Sequence, residues 1–162
     1  MDVPEKLHDA EQVLPYRLVL VMTSQGCDGA DRLGNLLEEW TASGTIRAAW
    51  LTLQEAHNSP YRFLHDLQST LQPHVSPPDV SPPGSLEDGL IVLLNSILGY
   101  TQDSILVLGN YHVIHAAEIH AAVSLLLDYL PPRMHLVITS REQPPLPIPR
   151  LRVRGQMVEL RV

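Results

Sequence analysis

Three stretches of this chain, RLVLVMT (Arg17–Thr23), SILVL (Ser104–Leu108) and MHLVIT (Met134–Thr139), are apolar along most of their length, with no alternation. A strand with one wet face alternates apolar and polar residues. A run without that alternation is buried on both faces, the mark of a parallel sheet covered by helices on each side. Ile46–Leu53 (IRAAWLTL) and the stretch near Met157–Val162 read as two further strands. Helical patterns lie between them. Leu33, Leu36, Leu37 and Trp40 predict a helix over about Ala30–Ala42, stopped by Gly44. Pro60 can open a helix at its first turn, on which Phe63, Leu64, Leu67 and Leu71 make one stripe. Ser85 before Glu87 and Asp88 has the form of an N-cap with an acidic first turn, opening a helix to about Leu98, and Ala116–Leu130 gives the last. Strand and helix alternate, so the fold class is α/β. Right-handed crossovers then place every strand's carboxyl end along one edge, where such folds bind ligands.

Two segments interrupt this order. Gln72–Gly84 contains VSPP twice, and proline at that density reads as an exposed loop or a polyproline docking segment; Gln143–Arg150 reads as a proline-rich turn. The 162 residues, 44% of them apolar, suit one domain with its own core. A net charge of −7 with no Lys/Arg stripe lacks the footprint of a phosphate-backbone binder, so direct nucleic-acid binding by this segment is not expected. The lone Cys27 rules out an internal disulfide and fits a reducing compartment. Residues 1–16 mix charge and proline and read as an extension, not a secretory signal. No apolar stretch reaches the roughly 18 residues of a membrane span, so a soluble, cytoplasmic protein is expected.

The stretch LTLQEAHNSPYRFLHDLQSTL (Leu51–Leu71) and then the YHxI, LP, LVITSRE and PPLPxxRLRxRGQ segments from Ile105 onward occur in a recognisable order. In this the chain resembles the nucleotide-binding domain of MalT-like regulators, a branch of the STAND class of P-loop ATPases related to AAA+ proteins. The resemblance runs from about Arg17 to the C-terminus. It implies a three-layer P-loop NTPase-like sandwich over residues 17–162, with a parallel five-stranded sheet in the order 5-1-4-3-2 and residues 73–84 as a proline-rich loop.

The chain departs from that family where the chemistry should be. The family's phosphate loop is Gly-x-x-x-x-Gly-Lys-Thr, in which backbone N–H groups cradle phosphates, Lys neutralises charge and Thr binds Mg²⁺. Here the loop reads TSQGCDGADRLG (Thr23–Gly34), and no lysine follows Lys6. Asp28 and Asp31 outweigh Arg32, leaving negative charge where a polyanion would sit. The family's third strand ends in Asp-Asp-Tyr-His, one acid helping to hold Mg²⁺ and orient water. This chain has Gly109-Asn110-Tyr111-His112, with no carboxylate, so hydrolysis by the usual route is not expected. The residues left to meet a nucleotide are Gly26, Gly29, Arg32, Asn110 and Arg141. By the resemblance, Arg141 follows the fourth strand where the family's arginine senses the terminal phosphate; otherwise it pairs with Asp103, Glu142 or a backbone carbonyl.

Two further groupings carry chemistry on paper. His112, His115, Glu118 and His120 are ligand types for zinc, but His115 and His120 are five apart and do not share a helix face, which favours solvated or capping histidines. Cys27 and Arg32 have the elements of a phosphatase loop, one residue short of the required spacing and without an acid partner.

The sequence thus predicts a degenerate, non-hydrolysing regulatory domain of a MalT-like transcription regulator or signal-transduction protein. ATP with Mg²⁺ is the cofactor of an alternative, a binding switch with slow or no turnover. A second alternative is a stand-alone interaction or oligomerisation domain. Expected partners are proteins, other domains of a larger regulator or further copies of the chain. No metal, membrane or direct nucleic-acid partner is expected. In the family a helical winged region, a repeat sensor and a DNA-binding module follow this domain, and none fits within 162 residues.

Overall fold

Five strands, β1 (Leu18–Met22), β2 (Ile46–Thr52), β3 (Asp103–Gly109), β4 (Met134–Ser140) and β5 (Met157–Arg161), form one sheet in the order β2-β3-β4-β1-β5. Every pairing is parallel. This is the expected 5-1-4-3-2 order read from the other edge. The computed structural model describes residues 16–23, 35, 37–39, 41, 42, 44, 46–71, 86–97 and 102–161. The N-terminal extension to residue 15, the segment at 24–34 where the phosphate loop is expected, and the proline-rich stretch at 72–85 lie outside them. Four helices are complete: α1 (Pro60–Leu71), α2 (Leu86–Ile97), α3 (Ala117–Asp128) and α4 (Ile148–Val153). Within the helix predicted at 30–42, residues 35, 37–39 and 41 are helical. Gly44 follows at φ +75°, a left-handed conformation that ends a helix at little cost for glycine.

The topology explains how the helices divide. The chain steps outward once, from β1 to β2 at the sheet edge, and then returns through β3 and β4 to β5. Right-handed crossovers running in opposite directions fall on opposite faces. Accordingly α1 to α4 bury Phe63, Leu67, Leu90, Ile119, Leu126 and Leu151 against one face, with Leu20, Leu106, Leu108 and Leu136 of the strands. Leu37, from the outward crossover, packs on the other face with Val19, Ile105, Val107 and Val137. Strands β1, β3 and β4 are buried on both sides, as their uninterrupted apolar runs require, whereas the edge strand β2 is partly exposed. α1 and α2 lie side by side, and a Cβ at Gly89 of α2 would run into Leu64 Cδ2 of α1, so glycine sets their close approach.

One expectation is corrected. The turn predicted at Gln143–Arg150 gives way at Ile148 to α4. Pro149 sits in the first turn, where the missing N–H has no intrahelical partner to lose, and Ile148 and Leu151 are buried beneath it. No described helix is long and apolar enough to cross a membrane.

Candidate functional site

The strands' carboxyl ends meet along one edge, and the register decides which side chains line it. β2 and β3 pair Trp50 with Val107 and Thr52 with Gly109, so Trp50 and Gly109 are diagonal neighbours on one face. β4 adds Thr139 to the same row. A Cβ at Gly109 would stand 3.0 Å from Trp50 Nε1 and 3.7 Å from Thr139 Oγ1. The indole therefore occupies the approach that a side chain at 109 would need. The next residue, Asn110, is left-handed at φ 59°, ψ 43°, a conformation asparagine tolerates better than most residues. Its N–H donates to Thr139 Oγ1 at 3.0 Å, tying the end of β3 to β4. Thr23 N–H donates to the Ser140 carbonyl at 2.9 Å, tying β1 to β4 in the same way.

At the end of β4, Ser140 is buried and its Oγ donates to the Glu142 carbonyl at 2.6 Å. Arg141 is exposed, with no hydrogen-bond or ion-pair partner among the described residues. Asp103, one of its expected partners, instead lies 3.7 Å from His135 Nε2. Of the predicted nucleotide-contacting residues, the structure thus brings Asn110 and Arg141 to the same edge. Gly26, Gly29 and Arg32, like Cys27, lie outside the described residues.

Beyond Asn110 the chain enters a short 3-10 turn, Tyr111–Val113. Tyr111 is buried, and burial pushes its phenol well above the ordinary value, so its O–H is retained and donates to His120 Nδ1 at 2.9 Å. Burial, and then the neighbouring His115, hold the His120 ring below the usual imidazole range, consistent with a neutral acceptor. His115 precedes α3 and pairs with Glu55 across the edge. Among the described residues no three His, Cys, Asp or Glu side chains converge to hold a metal ion.

The segment after β2 is the other support. Gln54 N–H donates to His57 Nδ1 at 2.9 Å, which leaves the proton on Nε2 to be donated to Asp66 Oδ2 at 2.7 Å. Burial raises the Asp66 carboxyl, but hydrogen bonds from His57, His65 and Arg62 outweigh it and hold the group below its ordinary value. The pair has the outline of an acid–base dyad. Yet the His57 ring is buried with both nitrogens engaged, so it has no lone pair to take a proton from a substrate; its work is to bolt the loop to α1. Asn58 completes the join. Its Oδ1 accepts from the N–H groups of His115 (2.8 Å) and Ala116 (3.0 Å), while Nδ2 donates to the carbonyls of Glu55 (3.0 Å) and Val113 (3.1 Å). Ala116 is the N-cap of α3 and has no side-chain cap of its own, so Asn58 supplies acceptors at that helix start.

The residues present do not fit a Mg²⁺ ion at the end of β3. Position 109 has no side chain, position 110 is an amide, and the nearest neighbour to the vacant Cβ direction is an indole N–H edge that repels cations. The surrounding charge is also adverse to a polyphosphate. The first turns and loops at this edge carry Glu55, Glu87, Asp88, Glu118 and Glu142 against Arg62 and Arg141 among the described residues.

Such a sheet order, with helices on both faces and its strand ends gathered on one edge, defines an α/β domain of the P-loop NTPase type. Solved structures agree: Cdc6p from Pyrobaculum aerophilum superposes with a TM-score of 0.68 at 17% identity, covering 99% of this chain and 46% of that one. The Aeropyrum pernix ORC1 protein, solved in complex with DNA, gives 0.60 at 16% identity over 98% of this chain and 46% of that one. Within that class the chain is a MalT-like domain. It is 27% identical over 175 residues to the HTH-type transcriptional regulator MalT of Vibrio cholerae, covering 97% of this chain and 19% of the relative. MalT of Serratia proteamaculans is 31% identical over 153 residues, and that of Cronobacter sakazakii 30%, each covering 90% of this chain and 16% of the relative. The chain therefore spans under a fifth of the length of these relatives. No protein-family model matches it.

Trp50 and Thr139 escape a reading of the sequence alone as contributors to the site, whereas Asn58 lies in the segment after the second strand, at the edge where such folds bind ligands. Trp50 reads as core and Thr139 as the end of a strand. Only β2–β3 register, with Trp50 and Gly109 two residues apart across the pair, would have flagged the first.

Proposed function

We propose that the domain, residues 17–162, is a non-hydrolysing regulatory module of a MalT-like transcription regulator, acting through contacts with other domains, partner proteins or further copies of itself. Residues 1–16 form an extension to it and residues 73–84 a proline-rich loop. The observation that carries this reading is the end of β3, where Trp50 stands against Gly109 and neither position 109 nor position 110 supplies a carboxylate for metal or water. The acidic edge supports it, because among the described residues carboxylates outnumber arginines there.

A second reading, nucleotide bound without turnover, is favoured by Arg141, exposed beside Asn110 with no partner among the described residues. Thermal melting with Mg-ATP, together with measurement of ADP release, separates the two. A ligand present at about a hundred times its dissociation constant stabilises the folded form by about 2.7 kcal/mol. For a chain of this size that raises Tm by roughly 5–10 °C. The expected result is an unchanged Tm and no ADP. A raised Tm without ADP replaces the first reading by the second, and ADP release above that of an R141A variant overturns both.

A further inference from the structure

The opposite edge of the sheet has a different character. In a chain of net charge −7, the start of β2 and the segments leading into the other strands carry Arg47 and Arg17, Arg133, Arg150, Arg152 and Arg154. At that edge Asp128 pairs with Arg150 and Asp103 faces His135. Between the first residues of β2, β3 and β4 and the last residues of α1 and α2 lies a cleft of about 290 Å³. Leu71, Ile97, Ile105 and Met134 contribute to its apolar walls, and Arg47 and Arg133 stand among its polar lining residues. Both arginines also contact other groups.

We propose that this amino-edge cleft binds a small organic acid, a single carboxylate on a compact apolar body. The volume lies at the lower end of the range for small-molecule sites, which excludes a nucleoside triphosphate and suits one or two rings. Guanidinium is the side chain best matched to a carboxylate, and two at one apolar cleft supply charge for the head while the walls take the body. The amino edge thus brings complementary charge and a cavity together.

The test is an amide-resolved NMR titration of the 162-residue chain with 2-naphthoate, with neutral 2-naphthamide as the comparison. Saturable shifts are expected at Arg47–Ala49, Gln102–Ile105, Arg133 and Met134, with Asn110 and Thr139–Glu142 unmoved. Loss of the charged contacts, by 2-naphthamide or in R47Q/R133Q, weakens binding at least about tenfold. Ala49 lies on the face of β2 that packs towards α1 and α2 and lines the cleft, so A49W fills it and abolishes binding while both arginines remain. The spectrum of each variant reports independently whether it folds. Absence of localised shifts at about 10 mM naphthoate overturns the proposal, that concentration being several times a millimolar Kd. So does equal binding of the amide, or binding that survives A49W.

Discussion

Replacing Asn58 by alanine removes four hydrogen bonds at once. Two of them satisfy N–H groups at the start of α3 and two hold the carbonyls of Glu55 and Val113. A hydrogen bond contributes a net of about 0.5–1.5 kcal/mol, and the contact to the Glu55 carbonyl is exposed, where water substitutes for the lost donor. The loss of helix-start acceptors alone costs about 1 kcal/mol. N58A is therefore expected to lose about 2–3 kcal/mol. With a urea slope of about 2 kcal/mol/M, the unfolding midpoint falls by roughly 1–1.5 M. Hydrogen exchange locates the effect: the amides of His115 and Ala116 should lose protection well beyond the global change, while those at the centre of β3 follow it. A midpoint within about 0.2 M of the parent, equivalent to under 0.5 kcal/mol, would refute the reasoning. So would protection at His115 and Ala116 that merely tracks the rest of the chain. Either result would mean that the loop after β3 is held by its own turn and not by Asn58.

Three other perturbations have defined outcomes. Gly→Ala inside a helix ordinarily gains up to about 1 kcal/mol, but G89A should destabilise by about 1–2 kcal/mol because its Cβ meets Leu64. In G89A/L64A the two costs should fall well short of additive, and a stabilised G89A would show that α1 and α2 separate freely. His120 has a folded-state pKa below its ordinary 6.5, so its contribution is complete above that value and is lost as pH falls through the lowered one. Thermal stability should thus drop between about pH 7.5 and pH 5 more steeply in the parent than in H120Q; equal slopes would contradict the assignment. The Arg150–Asp128 pair is exposed on both sides, so R150A should cost no more than about 0.5 kcal/mol by urea melting, and a loss above 1.5 kcal/mol would reveal a role beyond the ion pair.

How much of this was legible follows from what each element asks of its residues. Strands β1, β3 and β4 declare themselves because burial on both faces leaves no room for polar alternation. Their order is a different matter, since no single strand encodes its neighbours, and the family segments after Ile105 supplied it. Helix α4 was hidden by its own prolines: Pro144, Pro145 and Pro147 read as a turn, and Pro149 read as more of the same although the first helical turn accepts it. His57 and Asp66 are nine residues apart and meet only because the loop folds back on α1. Asn58 reaches 58 residues ahead to the start of α3, a distance at which no local pattern carries a signal. The missing carboxylate was visible as Gly109-Asn110. What fills its place was not, because that depends on which residue of a neighbouring strand lies diagonally across.

The contact between Trp50 and Gly109 also constrains the order in which this sequence can change. Any side chain added at 109 arrives 3.0 Å from an indole nitrogen, so the indole must yield before the new group can be seated. A side chain at 109 is strained until the indole at 50 has shifted or shrunk, and a smaller residue at 50 leaves a hollow until position 109 has grown. The two sites are locked in series, a ratchet in which each reverse step is disfavoured while the other is still to be taken.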